Sequence, residues 1–98
     1  MRIDVIGRDV KITDDLRQHA ERKGEKLPKY FDRTQLITFT IVKKDSVQYT
    51  AECLVDVEGH DDFVAHADDA NIKAAIDGAV QKATRQIKDY KEKLKATR

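Results

Sequence analysis

Hydrophobic and polar positions change period several times along this chain, and each change predicts an element. Ile3 and Val5 alternate with Arg2 and Asp4, the period-two mark of a strand, and Gly7 is expected to end it. Leu16, Ala20, Gly24 and Leu27 then recur at helical spacing behind a candidate N-cap at Thr13, with Asp14 and Asp15 in the first turn where the helix dipole favours acids. Pro28 is expected to close that helix. Gly24 costs about 1 kcal/mol of helix propensity relative to Ala, which predicts a close approach of the helix to a sheet at that point. Tyr30 and Phe31 are expected to anchor the exit.

From Leu36 to Lys43 the pattern returns to period two, with Ile37, Phe39 and Ile41 on one side and Thr38 and Thr40 on the other. Lys43-Lys44-Asp45-Ser46 reads as a hairpin turn. Val47, Tyr49, Ala51, Cys53, Val55 and Val57 alternate with Gln48, Thr50, Glu52 and Asp56, the strongest strand pattern in the chain, and Glu58-Gly59-His60-Asp61 turns it back. Phe63, Ala65 and Ala67 mark a fourth strand.

Asp68, Asp69 and Asn71 are candidate caps for a long helix with apolar positions Ile72, Ile76, Ala79, Val80, Ala83, Ile87, Tyr90 and Leu94. Helical over 71–96, it would extend roughly 39 Å, longer than a strand beside it, so its basic end should overhang or line an edge of the body. The predicted fold is α+β: a two-layer β-α-β-β-β-α sandwich in which a four-stranded sheet carries two helices on one face. Residues 1–98 are expected to form one domain, with the last few residues frayed.

Charge sharpens this picture. The chain has a formal net charge of only +1. Yet Lys73 to Arg98 holds eight Lys or Arg against Asp77, Asp89 and Glu92. Residues 34–72 hold Asp45, Glu52, Asp56, Glu58, Asp61, Asp62, Asp68 and Asp69 against Lys43 and Lys44. A polyanion responds to the field of one face rather than to the sum, so nucleic acid is the first partner class to consider. Lysines that merely solvate a surface helix would produce the same run.

Enzyme and metal chemistry find little support. One cysteine, Cys53, cannot staple the chain and sits in the apolar phase of its strand, as a core residue would. His60, Asp61 and His66 could hold a metal only if a turn and a strand converged them, and His66 falls on the polar face. His19 is expected to be a partly exposed helix residue. Tyr49 and Phe39 are in phase with Ile37, Ile41, Val47 and Val55, which favours core packing over a platform for bases. No phosphate loop or nucleophile motif is present, no cofactor is implied, no apolar run reaches the length of a membrane span, and the N-terminus lacks a signal-peptide core. A soluble cytoplasmic protein is expected.

Several strings in order carry a family likeness. They are Gly7-Arg8-Asp9-Val10, Ile12-Thr13-Asp14 with Leu16 and Arg17, Lys26-Leu27, Tyr30-Phe31-Asp32-Arg33, Ala74-Ala75-Ile76-Asp77, Lys82, Arg85-Gln86, and the ladder Lys91, Lys93, Lys95. Over essentially its full length the chain resembles the ribosome hibernation promoting factor and ribosome-associated inhibitor family. It departs from the family pattern at Asn71, Lys73 and Gln81. Because it stops at Arg98, it looks most like a short hibernation promoting factor.

The resemblance implies a protein, monomeric off the ribosome, that lodges in the decoding channel of the small ribosomal subunit. There it would compete with messenger RNA and tRNA and idle translation in starvation or stationary phase. The residues expected to contact ribosomal RNA are Arg22, Lys23, Lys26 and Lys29 on the first helix, and Lys82, Arg85, Gln86, Lys88, Lys91, Lys93 and Lys95 on the second. On a helical wheel Lys82, Arg85 and Lys93 take one flank while Lys73, Lys88, Lys91 and Lys95 take the other, which suits a channel with RNA on several sides. The alternative is a general structured-RNA-binding module, since α-β-β-β-α is also the element order of a double-stranded RNA-binding domain.

Overall fold

A computed structural model describes residues 1–29 and 31–96, so Tyr30 and the chain end at Thr97 and Arg98, where anchoring and fraying were expected, lie outside the described residues. The elements are β1 (Arg2–Arg8), α1 (Asp14–Gly24), a short 3₁₀ turn (Leu27–Lys29), β2 (Thr34–Lys43), β3 (Tyr49–Val57), β4 (Phe63–Asp69) and α2 (Ile72–Ala96). The sheet order is β1-β2-β3-β4. β1 runs parallel to β2, with α1 as the crossover between them, and the remaining pairs are antiparallel hairpins. The expected β-α-β-β-β-α sandwich is the fold observed.

Register explains the layering. Val5, Phe39, Cys53 and Ala65 lie in one cross-strand row and point to the same face, as strand alternation requires. All four are buried, together with Leu16 and Ala20 of α1 and Ala75, Ile76, Ala79, Val80, Ala83 and Ile87 of α2. The next row, Ile6, Thr40, Glu52 and His66, faces away and is half-buried or exposed. Thr13 Oγ1 accepts from Leu16 N at 3.2 Å and Asn71 Oδ1 from Ala74 N at 3.2 Å, so both predicted helix caps form.

The structure corrects several boundaries, each for a local reason. β1 does not end at Gly7 but continues to Arg8. Gly7 stays in the strand because the Val10 carbonyl folds back into the space a side chain would fill, and the turn falls on Asp9 at φ 57°. α1 stops at Gly24 rather than at Pro28. Pro28 has no N–H to continue the ladder, and the chain tightens into i−3 bonds, Lys26 N to Lys23 O and Lys29 N to Lys26 O, and the 3₁₀ turn that contains Pro28. The close approach at Gly24 is present: a Cβ there would lie 3.1 Å from Phe39 Cε2 and 3.2 Å from Ile3 Cδ1.

Val47 is not in β3. Asp45 Oδ1 accepts from Val47 N and Gln48 N, both at 2.9 Å, and this side-chain-closed turn leaves Val47 67% exposed at its tip. Tyr49, at the start of β3, is half-buried rather than core, whereas Phe39 is fully buried. The apolar stripe of α2 outruns the sheet: Ile87 is fully buried, but Leu94, two turns on, is 45% exposed. The long helix dominates the shape, which measures 49 × 22 × 18 Å.

Cys53 has no exposure, and burial pushes its thiol pKa up to about 12, so it is a packing residue and not a nucleophile. Cys53→Ser is expected to lower stability by about 1–3 kcal/mol in chemical denaturation, because the hydroxyl enters an apolar site. An unchanged unfolding midpoint would contradict the packing described.

Candidate nucleic-acid interface

The cations of α2 divide more finely than the two flanks of the helix wheel. Arg85 lies on the outward face, beside Gln81, Thr84, Lys88, Asp89 and Glu92. Lys82 and Gln86 lie against the sheet edge: Lys82 Nζ donates to the His66 carbonyl at 2.8 Å and Gln86 Nε2 to the Val64 carbonyl at 3.0 Å. These side chains satisfy two backbone acceptors of β4, which is an edge strand of the sheet among the described residues. Both remain in the surface layer, but they are held there by structural bonds.

The third group faces α1. Lys73 Nζ lies 2.5 Å from Asp15 Oδ2 and ties the start of α2 to the start of α1. One turn on, Asp77 Oδ1 lies 2.7 Å from His19 Nε2 and 3.8 Å from Lys23 Nζ. His19 is partly exposed, as expected, with 14% of its side chain accessible beside this helix–helix contact. Lys23 is likewise part of the clasp, while Arg22, Lys26 and Lys29 are exposed.

Beyond the clasp, α2, the 3₁₀ turn and the segment leading into β2 frame a groove of about 620 Å³. Lys29 and Arg33 line it from the 3₁₀ turn and the segment before β2, Lys91 and Lys95 line it from α2, and Phe31, Tyr90 and Leu94 complete the apolar part of the lining. Asp32 is the acid among these lining residues. The sequence-predicted Lys29, Lys91 and Lys95 therefore meet, although 62 positions separate the first two. Arg33, which is not among the sequence-predicted contacts, also lines this groove. Its signal was slight, a single Arg in a polar turn after Phe31, and its guanidinium is placed by tertiary structure beside Gly59. Lys93 lies apart from this groove, beside His60, Phe63 and Tyr90.

The sheet carries acids of its own. On the outer sheet face Glu52 pairs with His66 at 3.0 Å, Arg2 with Asp4 at 3.1 Å, and Asp68 with Lys44 at 2.6 Å and with the Thr50 hydroxyl at 2.7 Å. The Lys44 ammonium and the Thr50 hydroxyl hold the Asp68 carboxyl below the usual range, and the same contact raises the Lys44 ammonium. His60 and His66, weighed as metal ligands, are engaged separately: His60 lies flat on Phe63, and His66 pairs across the strands with Glu52. Among the described residues no three His, Cys, Asp or Glu are grouped as a metal site. Among them too, no helix is long and apolar enough to cross a membrane.

A thin α+β sandwich with a basic helical layer over an acid-bearing sheet narrows the class, and comparison with known proteins names it. Residues 3–95 match the family described as Sigma 54 modulation protein / S30EA ribosomal protein. The chain belongs to that family, as the ordered motifs of its sequence indicate. It is 35% identical over 95 residues to the ribosome hibernation promoting factor of Escherichia coli (strain K12), covering 97% of this chain and 98% of that protein. The protein of the same name from Pseudomonas putida is 30% identical over 93 residues, covering 95% and 89%. The N-terminal domain of Thermus thermophilus Protein Y superposes with a TM-score of 0.81 at 32% identity, over 92% of this chain and 99% of that one. A ribosomal subunit interface protein from Coxiella burnetii shares the fold, with a TM-score of 0.84 at 22% identity, over 94% and 99%.

The Asp15–Lys73 contact yields a pH test. The Lys73 hydrogen bond and charge hold the Asp15 carboxyl below its ordinary 3.8. A carboxyl depressed in the folded state contributes stability above its unfolded pKa and loses that contribution as pH falls through the folded value. Carboxyl-carbon NMR should therefore show Asp15 titrating below 3.8, with the midpoint rising in Lys73→Ala. A midpoint unmoved by that substitution would remove the clasp.

Proposed function

We propose that this protein is a cytoplasmic ribosome hibernation factor that binds the decoding channel of the small ribosomal subunit. Its helical layer occupies the paths of messenger RNA and tRNA and so idles translation under starvation or in stationary phase. It acts by occupancy and needs no cofactor or catalytic group. The observation that carries this reading is the distribution of charge around a slender body. Cations stand on the outward face of α2, on its β4 flank and in the groove between α2 and the 3₁₀ turn, while the paired acids of the sheet lie on the opposite face.

That distribution suits a channel better than a flat duplex. Ribosomal RNA offers a lattice of phosphates, and neutralising them releases condensed counterions, which gives affinity without reading sequence. Arg85 can fork two phosphate oxygens, whereas Lys26, Lys29, Lys88, Lys91, Lys93 and Lys95 act as point charges on flexible stems. Arg22 and Lys23 extend the surface along α1, and Lys82 and Gln86 present their outer sides from the β4 edge. A cross-section of 22 × 18 Å lets these groups face RNA on several sides at once. Family membership and the names of the relatives support the ribosome as partner.

Co-sedimentation with idle ribosomes and separated subunits, over a salt series and with competing tRNA and messenger RNA, tests the proposal. Saturation near one copy per small subunit, lost to either competitor, is expected. Equal affinity for any duplex RNA would make the protein a general RNA-binding module instead.

Two charge reversals separate binding from structure. Arg85→Glu should weaken ribosome binding and lower the slope of log affinity against log salt by about 1, with stability changed by no more than about 0.5 kcal/mol. Lys82→Glu should weaken binding and also lower the melting temperature, because it strips the His66 carbonyl of its donor. Unaltered ribosome binding by Arg85→Glu would remove α2's outward face from the interface.

A further inference from the structure

At the end of the molecule where the β3–β4 turn meets α2, four rings form a cluster that charge alone does not require. Tyr90 is central, with its ring centroid 5.9 Å from that of Phe31, 5.6 Å from Phe63 and 4.3 Å from His60. Phe31 and Phe63 are buried, but His60 is exposed. Its imidazole lies parallel to the Phe63 ring, 5° from coplanar and 4.7 Å away, and its Nδ1 is 2.5 Å from the Asp61 carbonyl. The plate is thus already oriented by a ring beneath it and a hydrogen bond at its edge.

Such a plate suits a nucleobase. Bases freed from a duplex stack on aromatic rings, histidine included, and do so with little regard to sequence. The surrounding charge sets a polarity. Glu58, Asp61 and Asp62 flank His60 in the turn and repel phosphate, whereas Lys93 lies beside the plate and Lys91 and Lys95 follow on the same helix. Asp89, which also lines this side, offsets only part of that charge.

We infer that His60, backed by Phe63 and Tyr90, is a stacking site for one unpaired base of an RNA strand whose phosphates run along the lysines at the end of α2. This rests on the RNA-binding reading above and adds a ligand that reading lacks, a single-stranded nucleotide recognised through its base. It also gives the acidic turn a role, because the turn fixes which way the strand lies.

The test uses the full chain and a fluorescently labelled single-stranded oligoribonucleotide of about ten nucleotides. Its anisotropy titration is compared with that of the same backbone lacking its bases, at low salt. The intact strand should bind about tenfold more tightly than the abasic one, His60→Ala should abolish that difference, and His60→Phe should restore it. Equal binding of intact and abasic strands, no binding of either, or a base preference that survives His60→Ala would overturn the inference. Ribosome co-sedimentation run in parallel separates the two proposals: ribosome binding without a base preference removes only this site, and a base preference without ribosome binding removes only the decoding-channel assignment.

Discussion

The placement of every cation on α2 depends on how closely that helix sits on the sheet. Ala75, Ile76, Ala79, Val80, Ala83 and Ile87 bury one side of it. Three of these six are alanines, and Gly78 lies so near β4 that a Cβ there would stand 2.9 Å from the Ala67 Cβ. Small residues let the backbones approach, and dense packing then removes freedom to slide or rotate. Only at that separation do Lys82 and Gln86 reach the β4 carbonyls, and only then do Lys73 and Asp77 meet α1.

The basic helix consequently does two kinds of work. Some of its polar groups complete the fold: Lys82 and Gln86 close a strand edge, and Lys73 and Asp77 clasp the other helix. Arg85 and the cations lining the groove stand where a polyanion can reach them. The run of charge along α2 thus conceals unequal roles. Surface ion pairs contribute modestly to stability, so the clasp is better understood as setting the angle between the two helices than as holding the protein together.

A near-neutral total charge is compatible with a strong local field because strand alternation and helix packing sort the signs. In β3, Glu52 and Asp56 occupy the outward positions while Ala51, Cys53 and Val55 turn inward. The helices cover the inward side, so their cations and these acids end up on opposite faces. Pairing within the sheet, Glu52 with His66 and Asp68 with Lys44, further mutes the acid side.

By itself the sequence determined the elements, their order, the inward face of each strand, the buried thiol and the family, because period-two and helical spacing are local and the motifs run in order along the chain. It misjudged element ends at Gly7, Pro28 and Val47, where a returning carbonyl, a missing N–H and an Asp side chain settle the backbone. Only tertiary structure decided which cations share a surface. Lys29 and Arg33 meet Lys91 and Lys95, His60 meets Tyr90, and His19 meets Asp77 across long stretches of chain. No local pattern encodes those meetings, because they follow from where the sheet ends and how near a stripe of small residues lets α2 approach it.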